Sequence, residues 1–167
     1  MPRSRVFLID FSSGSQLASE AEDLLKSCSS ASVDLQVVSA RVSVADCDEN
    51  SLNILVSQSR ADLCMLIVPS AEDEILSLVS LVKRIAAECP VAVVVENCEA
   101  LGLLGLLRIG ASDFMIPPLR ALDVVPRVLR LLEQTNPREA RQFAVDRCHD
   151  IVTPFLIEAW RLDAERR

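Results

Sequence analysis

The chain has 167 residues, half of them hydrophobic, and a formal net charge of −7. That length suffices for one domain with its own core plus an appendage, and no apolar run approaches the ~20 residues needed to cross a bilayer. From Arg138 onward six arginines balance six acids, so the negative charge belongs to residues 1–137; an acidic body argues against nonspecific nucleic-acid binding and suits a partner with a basic face.

Met1-Pro2-Arg3-Ser4-Arg5 leads directly into a strand-like run too short for a signal peptide, which predicts a cytoplasmic protein with no membrane insertion. The body then alternates strand and helix. Val6–Ile9 reads as a first strand, Ser12-Ser13-Gly14-Ser15 as turn and cap, and Leu17, Ala21, Leu24 and Leu25 as one helix face. That serine-rich turn lacks the Gly spacing and Lys of a phosphate-cradling loop. A second strand is expected over Val33–Val38. Asp46, Asp48 and Glu49 lack the spacing of a calcium loop and read as a solvated turn before a helix marked by Leu52, Ile54 and Leu55.

Leu63–Val68 is continuously apolar, as a strand buried on both faces must be. A helix over Glu72–Ala87 follows, with Ile75, Leu76, Val79, Leu81 and Val82 on its apolar face. Then come a strand at Val91–Val95, a helix at Ala100–Ile109, a strand at Asp113–Ile116 and a helix at Asp123–Glu133. Gly102 and Gly105 weaken the fourth helix by about 1 kcal/mol each, so they mark close packing against the sheet or an apolar surface that a partner grips. Five such units imply an α/β fold, a doubly wound parallel sheet of the flavodoxin-like order 2-1-3-4-5. Six cysteines, at 28, 47, 64, 89, 98 and 148, are scattered without a CxxC pair, and favour neither a disulfide framework nor a zinc site. No metal and no cofactor is expected.

Arg108-Ile109-Gly110-Ala111-Ser112-Asp113-Phe114 through Pro118, with a following helix that ends Leu131-Leu132-Glu133, resembles the end of a response-regulator receiver domain. Ala61-Asp62-Leu63 and Pro90-Val91 fit the same pattern, which places the receiver-like domain at residues 1–135. The resemblance implies an acid pair after the first strand, a phosphoacceptor Asp ending the third, a hydroxyl after the fourth and a Lys after the fifth. In those places stand Asp10 followed by Phe11, then Ile67, Val95 and Pro117. The expectation is a pseudo-receiver, with the fold kept and the phosphorylation lost. The family also implies a cis bond before Pro118.

Residues 136–167 open with Asn136-Pro137, suited to a helix N-cap and first position. Ala144, Cys148, Ile151, Phe155, Ala159 and Leu162 form a near-heptad stripe. A helix from Pro137 to Glu165 would be about 43 Å long, and such a stripe must dimerise or fold back. Pro154 removes the bond to the Asp150 carbonyl and predicts a kink beside His149. The string Arg141–Phe155 resembles the phosphoacceptor box of histidine kinases, with His149, Asp150, Thr153 and Pro154 in its places, although Val152 and Cys148 depart from it. That resemblance implies His149 as phosphoacceptor, Asp150 as its orienting or deprotonating acid and Thr153 in the reverse step. It also implies a homodimer through the stripe and a first dimerisation helix cut short at Arg167.

Three readings follow. One is a regulatory and dimerisation module of a two-component kinase, with a signalling protein on the receiver-like body and no activity from this chain alone. Another is a phosphorelay acceptor modified in trans. The third is a free-standing pseudo-receiver that binds a protein or small ligand.

Overall fold

The computed structural model describes residues 3–28 and 34–135. Five strands alternate with five helices: β1 Arg3–Asp10, α1 Gln16–Ser27, β2 Asp34–Arg41, α2 Glu49–Ser59, β3 Leu63–Val68, α3 Asp73–Ile85, β4 Val91–Val95, α4 Ala100–Arg108, β5 Asp113–Met115 and α5 Ala121–Thr135. All neighbours in the sheet are parallel and the order is β2-β1-β3-β4-β5, as expected from the sequence. Among the described residues, no helix is long and apolar enough to cross a membrane.

Side-chain alternation divides the core into two layers. Val6, Leu8, Met65, Ile67, Ala92 and Val94 face α1 and α5. Phe7, Ile9, Cys64, Leu66, Val68, Val93 and Val95 face the layer of α2, α3 and α4. β3 and β4 are buried along their whole length, which explains their unbroken hydrophobicity.

β2 extends to Arg41, three residues beyond its expected end at Val38, and pairs with β1 along the whole of both strands. As the edge strand it is half exposed, so Ser39, Ala40 and Arg41 carry no hydrophobic signal. In α2 the buried positions are Leu52 and Val56, whereas Ile54, one of the residues expected to mark this helix, points to solvent. Asp48 caps that helix by accepting from the Ser51 amide at 2.7 Å, which lowers its carboxyl below the ordinary range. α5 accommodates Pro126 on its exposed side while Val124, Val125, Val128, Leu129, Leu131 and Leu132 are buried.

Gly102 and Gly105 pack against α3 and the loop before it, not against the sheet. A Cβ on Gly102 would lie 2.7 Å from the Ala71 Cβ, and one on Gly105 would lie 2.8 Å from a Leu76 methyl. The missing side chains let α4 approach its neighbour closely.

Candidate functional site

The carboxyl ends of the strands are where ligands bind in open α/β sheets. At these five ends one carboxylate stands among the last two residues of the strands, that of Asp10. It is 4 % exposed and fully engaged. Its Oδ1 accepts from the Ser12 amide at 2.9 Å and from the Ser12 hydroxyl, and its Oδ2 accepts from Arg41 Nε at 3.1 Å. Arg41, at the end of edge strand β2, is itself mostly exposed. The acid thus closes the β1–α1 turn, where Gly14 adopts φ +92°, and ties the edge strand to the centre of the sheet.

Phe11 and Ile67 adjoin Asp10. Ile67 is its register partner in β3, and the Phe11 amide donates to the Ile67 carbonyl at 2.8 Å. Both side chains are core, Ile67 in the α1–α5 layer and Phe11 in the opposite one. Val95 pairs with Val68 and is buried on Phe11's side. Pro117 lies in the loop after β5, half-buried, and its bond to Pro118 is cis. The structure therefore brings Asp10, Phe11 and Ile67 together, sets Val95 one strand beyond them, and leaves Pro117 in the loop past β5.

Next to this edge the loop after β4 is fastened to the end of β3 and the loop that follows: the Glu96 amide donates to the Val68 carbonyl at 2.9 Å and the Asn97 amide to the Pro69 carbonyl at 3.1 Å. A groove of about 720 Å³ beside them is bordered by Glu72, Glu96 and Glu99, a rim that disfavours anions. Among the described residues no group of three or more His, Cys, Asp or Glu side chains could hold a metal ion.

The outer face of α4 is apolar. Leu101, Leu104 and Leu107 recur every third residue and are exposed, Leu101 by 79 %, with Ile116 and Leu122 exposed nearby in the chain segment around β5 and α5. Asp113 anchors α5 by accepting from Arg127 at 3.2 Å and Arg130 at 2.9 Å.

Sequence reading missed two features. Arg41 becomes the partner of Asp10 only through strand pairing. Cys64 and Cys89, apart in sequence, meet with 3.7 Å between sulfurs because β3 and β4 are neighbours. The residues His149, Asp150 and Thr153, and the stripe of Ala144, Cys148, Ile151, Phe155, Ala159 and Leu162, lie outside the described residues.

No protein-family model matches the chain, and no curated protein does. Solved structures do match. An orphan response regulator of H. pylori is 25% identical, with a TM-score of 0.55 over 78% of this chain and 99% of that one. The signal receiver domain of a histidine kinase from Syntrophus aciditrophicus is 18% identical, with a TM-score of 0.59 over 80% of this chain and 92% of that one. An atypical orphan response regulator, described with a phosphorylation-independent regulatory mechanism, is 22% identical, with a TM-score of 0.51 over 78% of this chain and 94% of that one. The structures to which this chain is similar include CheY-like response-regulator receiver domains, and its own fold is the receiver fold.

Proposed function

We propose that this chain is a cytoplasmic regulatory module of two-component signalling whose receiver-like body acts through protein contacts and accepts no phosphoryl group. One observation carries the reading: Asp10 is already occupied by Ser12 and Arg41, Phe11 and Ile67 beside it are core, and so is Val95 one strand beyond. A hard divalent cation needs several free oxygen ligands, and phosphoryl acceptance needs a nucleophile. The similar atypical regulator, described with a phosphorylation-independent mechanism, supports the same mode for this chain. Incubation with acetyl phosphate and Mg²⁺ is expected to leave the intact mass and the melting temperature unchanged. Incorporation of one acyl phosphate in residues 1–135 overturns the proposal.

In this reading the body is held by a signalling protein on the α4 face, where Leu101, Leu104 and Leu107 offer a continuous apolar strip. The net charge of −7 favours a partner with a basic rim and disfavours nucleic acid.

The resemblance of Arg141–Phe155 to a kinase phosphoacceptor box extends the proposal to residues 136–167. They pair with their twin in a parallel homodimer, with His149 beside the seam as phosphoacceptor for a kinase catalytic domain. Sedimentation of the chain at tens of micromolar is expected to show dimers, and removal of residues 137–167 monomers. A full chain that stays monomeric removes the dimer and most of the support for His149.

A further inference from the structure

At the end of the sheet opposite Asp10, the second residue of β3 and the loop before β4 place two thiols side by side. Cys64 is buried and Cys89 half-buried, and the Cys89 thiol lies 3.7 Å from the Cys64 sulfur. The backbone fixes both: the Cys64 amide donates to the Pro90 carbonyl at 3.0 Å, and the Cys89 amide to the Ala86 carbonyl at 3.0 Å. Both residues border an open groove of about 510 Å³, shared with Val56, Arg60, Ala86 and Thr135. A small solute can therefore reach Cys89 from solvent, while Cys64 waits behind it.

We propose that Cys64 and Cys89 are a modification site, a thiol–disulfide couple oxidised by hydrogen peroxide that enters this groove. The Cys89 thiolate attacks one peroxide oxygen; the S–O bond forms, the O–O bond breaks, and hydroxide leaves and is protonated by solvent. The Cys64 sulfur then attacks the Cys89 sulfenic acid, the Cys64 proton passes to the leaving oxygen, and water departs. Two thiols give two electrons to one peroxide and yield one disulfide and two waters. An external thiol reverses the step by exchange.

The surroundings assign the roles. Once Cys89 ionises, the Cys64 S–H donates to it. That bond holds the Cys89 thiol below its ordinary range against desolvation, with the Lys83 ammonium assisting and the Asp62 carboxylate opposing. The same bond and burial push the Cys64 thiol up, so Cys64 keeps its proton until it is needed. Elsewhere burial and an adjacent acid, Asp48 or Glu99, push the Cys47 and Cys98 thiols up, which leaves them poorer nucleophiles. Thr135 borders the groove and its hydroxyl donates to the Asp62 carbonyl at 2.9 Å, so the cross-link forms beside the last turn of α5.

The test uses the full chain, reduced, desalted and exposed to equimolar hydrogen peroxide before denaturing alkylation and peptide mapping. The expected product has lost two hydrogens and joins the Cys64 and Cys89 peptides. Cys64→Ser is expected to stall at a Cys89 sulfenic acid that dimedone traps, and Cys89→Ser to leave Cys64 reduced. Oxidation of Cys47, Cys98 or Cys148 while Cys64 and Cys89 both remain thiols overturns the proposal. So does a Cys89 sulfenic acid that accumulates in the unmutated chain. The unmutated chain alone decides, whatever the variants do to folding.

Discussion

Replacing Ile67 with aspartate is expected to lower the stability of the domain by about 3–5 kcal/mol, the usual consequence of an unpaired buried charge, without creating a phosphoacceptor. Ile67 is 0 % exposed, and its register partner Asp10 already carries a carboxylate. The new acid would be desolvated and would face a like charge, two effects that act in the same direction. Ile67→Val removes one methylene and is expected to cost about 1 kcal/mol, so the pair separates charge from volume. Urea unfolding of both variants measures it. An Ile67→Asp protein as stable as the parent, or one that takes up phosphate from acetyl phosphate, means that the strand ends still enclose a working pocket.

Phe11→Ala should be nearly as damaging, with an expected loss of about 3–5 kcal/mol for a buried phenylalanine. The ring is almost fully enclosed in the layer of α2, α3 and α4. The Phe11 amide keeps its bond to Ile67 in the variant, so the effect reads the side chain alone. Since a domain is stabilised by about 5–15 kcal/mol in total, either substitution removes a large share. A change below about 1 kcal/mol, the range of surface substitutions, would show that Phe11 lines a cleft and not a core. Together the two variants ask whether the positions that a receiver uses for chemistry have here been given over to packing.

The order of elements was legible because β1, β3 and β4 are buried on both faces and stand out as apolar runs, each followed by a helical pattern. The edge was harder to read. β2 ends in Ser39-Ala40-Arg41, held by ladder bonds that leave no trace in hydropathy. Ile54 marked a helix correctly but not its buried face, which Leu52 and Val56 define. The small residues of α4 announced close packing, but the surface expected, the sheet, proved to be α3 and Ala71. At the site, Asp10 was recognisable by position, but its partners required tertiary pairing. Ser12 is local, whereas Arg41 arrives across the sheet. The same limit hid Cys64 and Cys89, which no sequence spacing marks as a pair.

The strand order has a kinetic side. β1 lies between β2 and β3, and its junction with β3 joins residues 57 apart, as in the bond from the Arg5 amide to Asp62, against 31 for its junction with β2. Loop-closure entropy grows only logarithmically, and each doubling of the loop costs about 0.6 kcal/mol. The longer crossover is therefore a small thermodynamic burden, and in return the apolar half of β1 is covered on both sides. Its weight falls on rate: pairings between distant segments slow folding. The β1–α1–β2 unit closes the shorter loop, and the β1–β3 junction joins it to the remaining three strands. Arg5 and Asp62 clasp that junction in both directions, the Asp62 amide returning a bond to the Arg5 carbonyl at 2.8 Å.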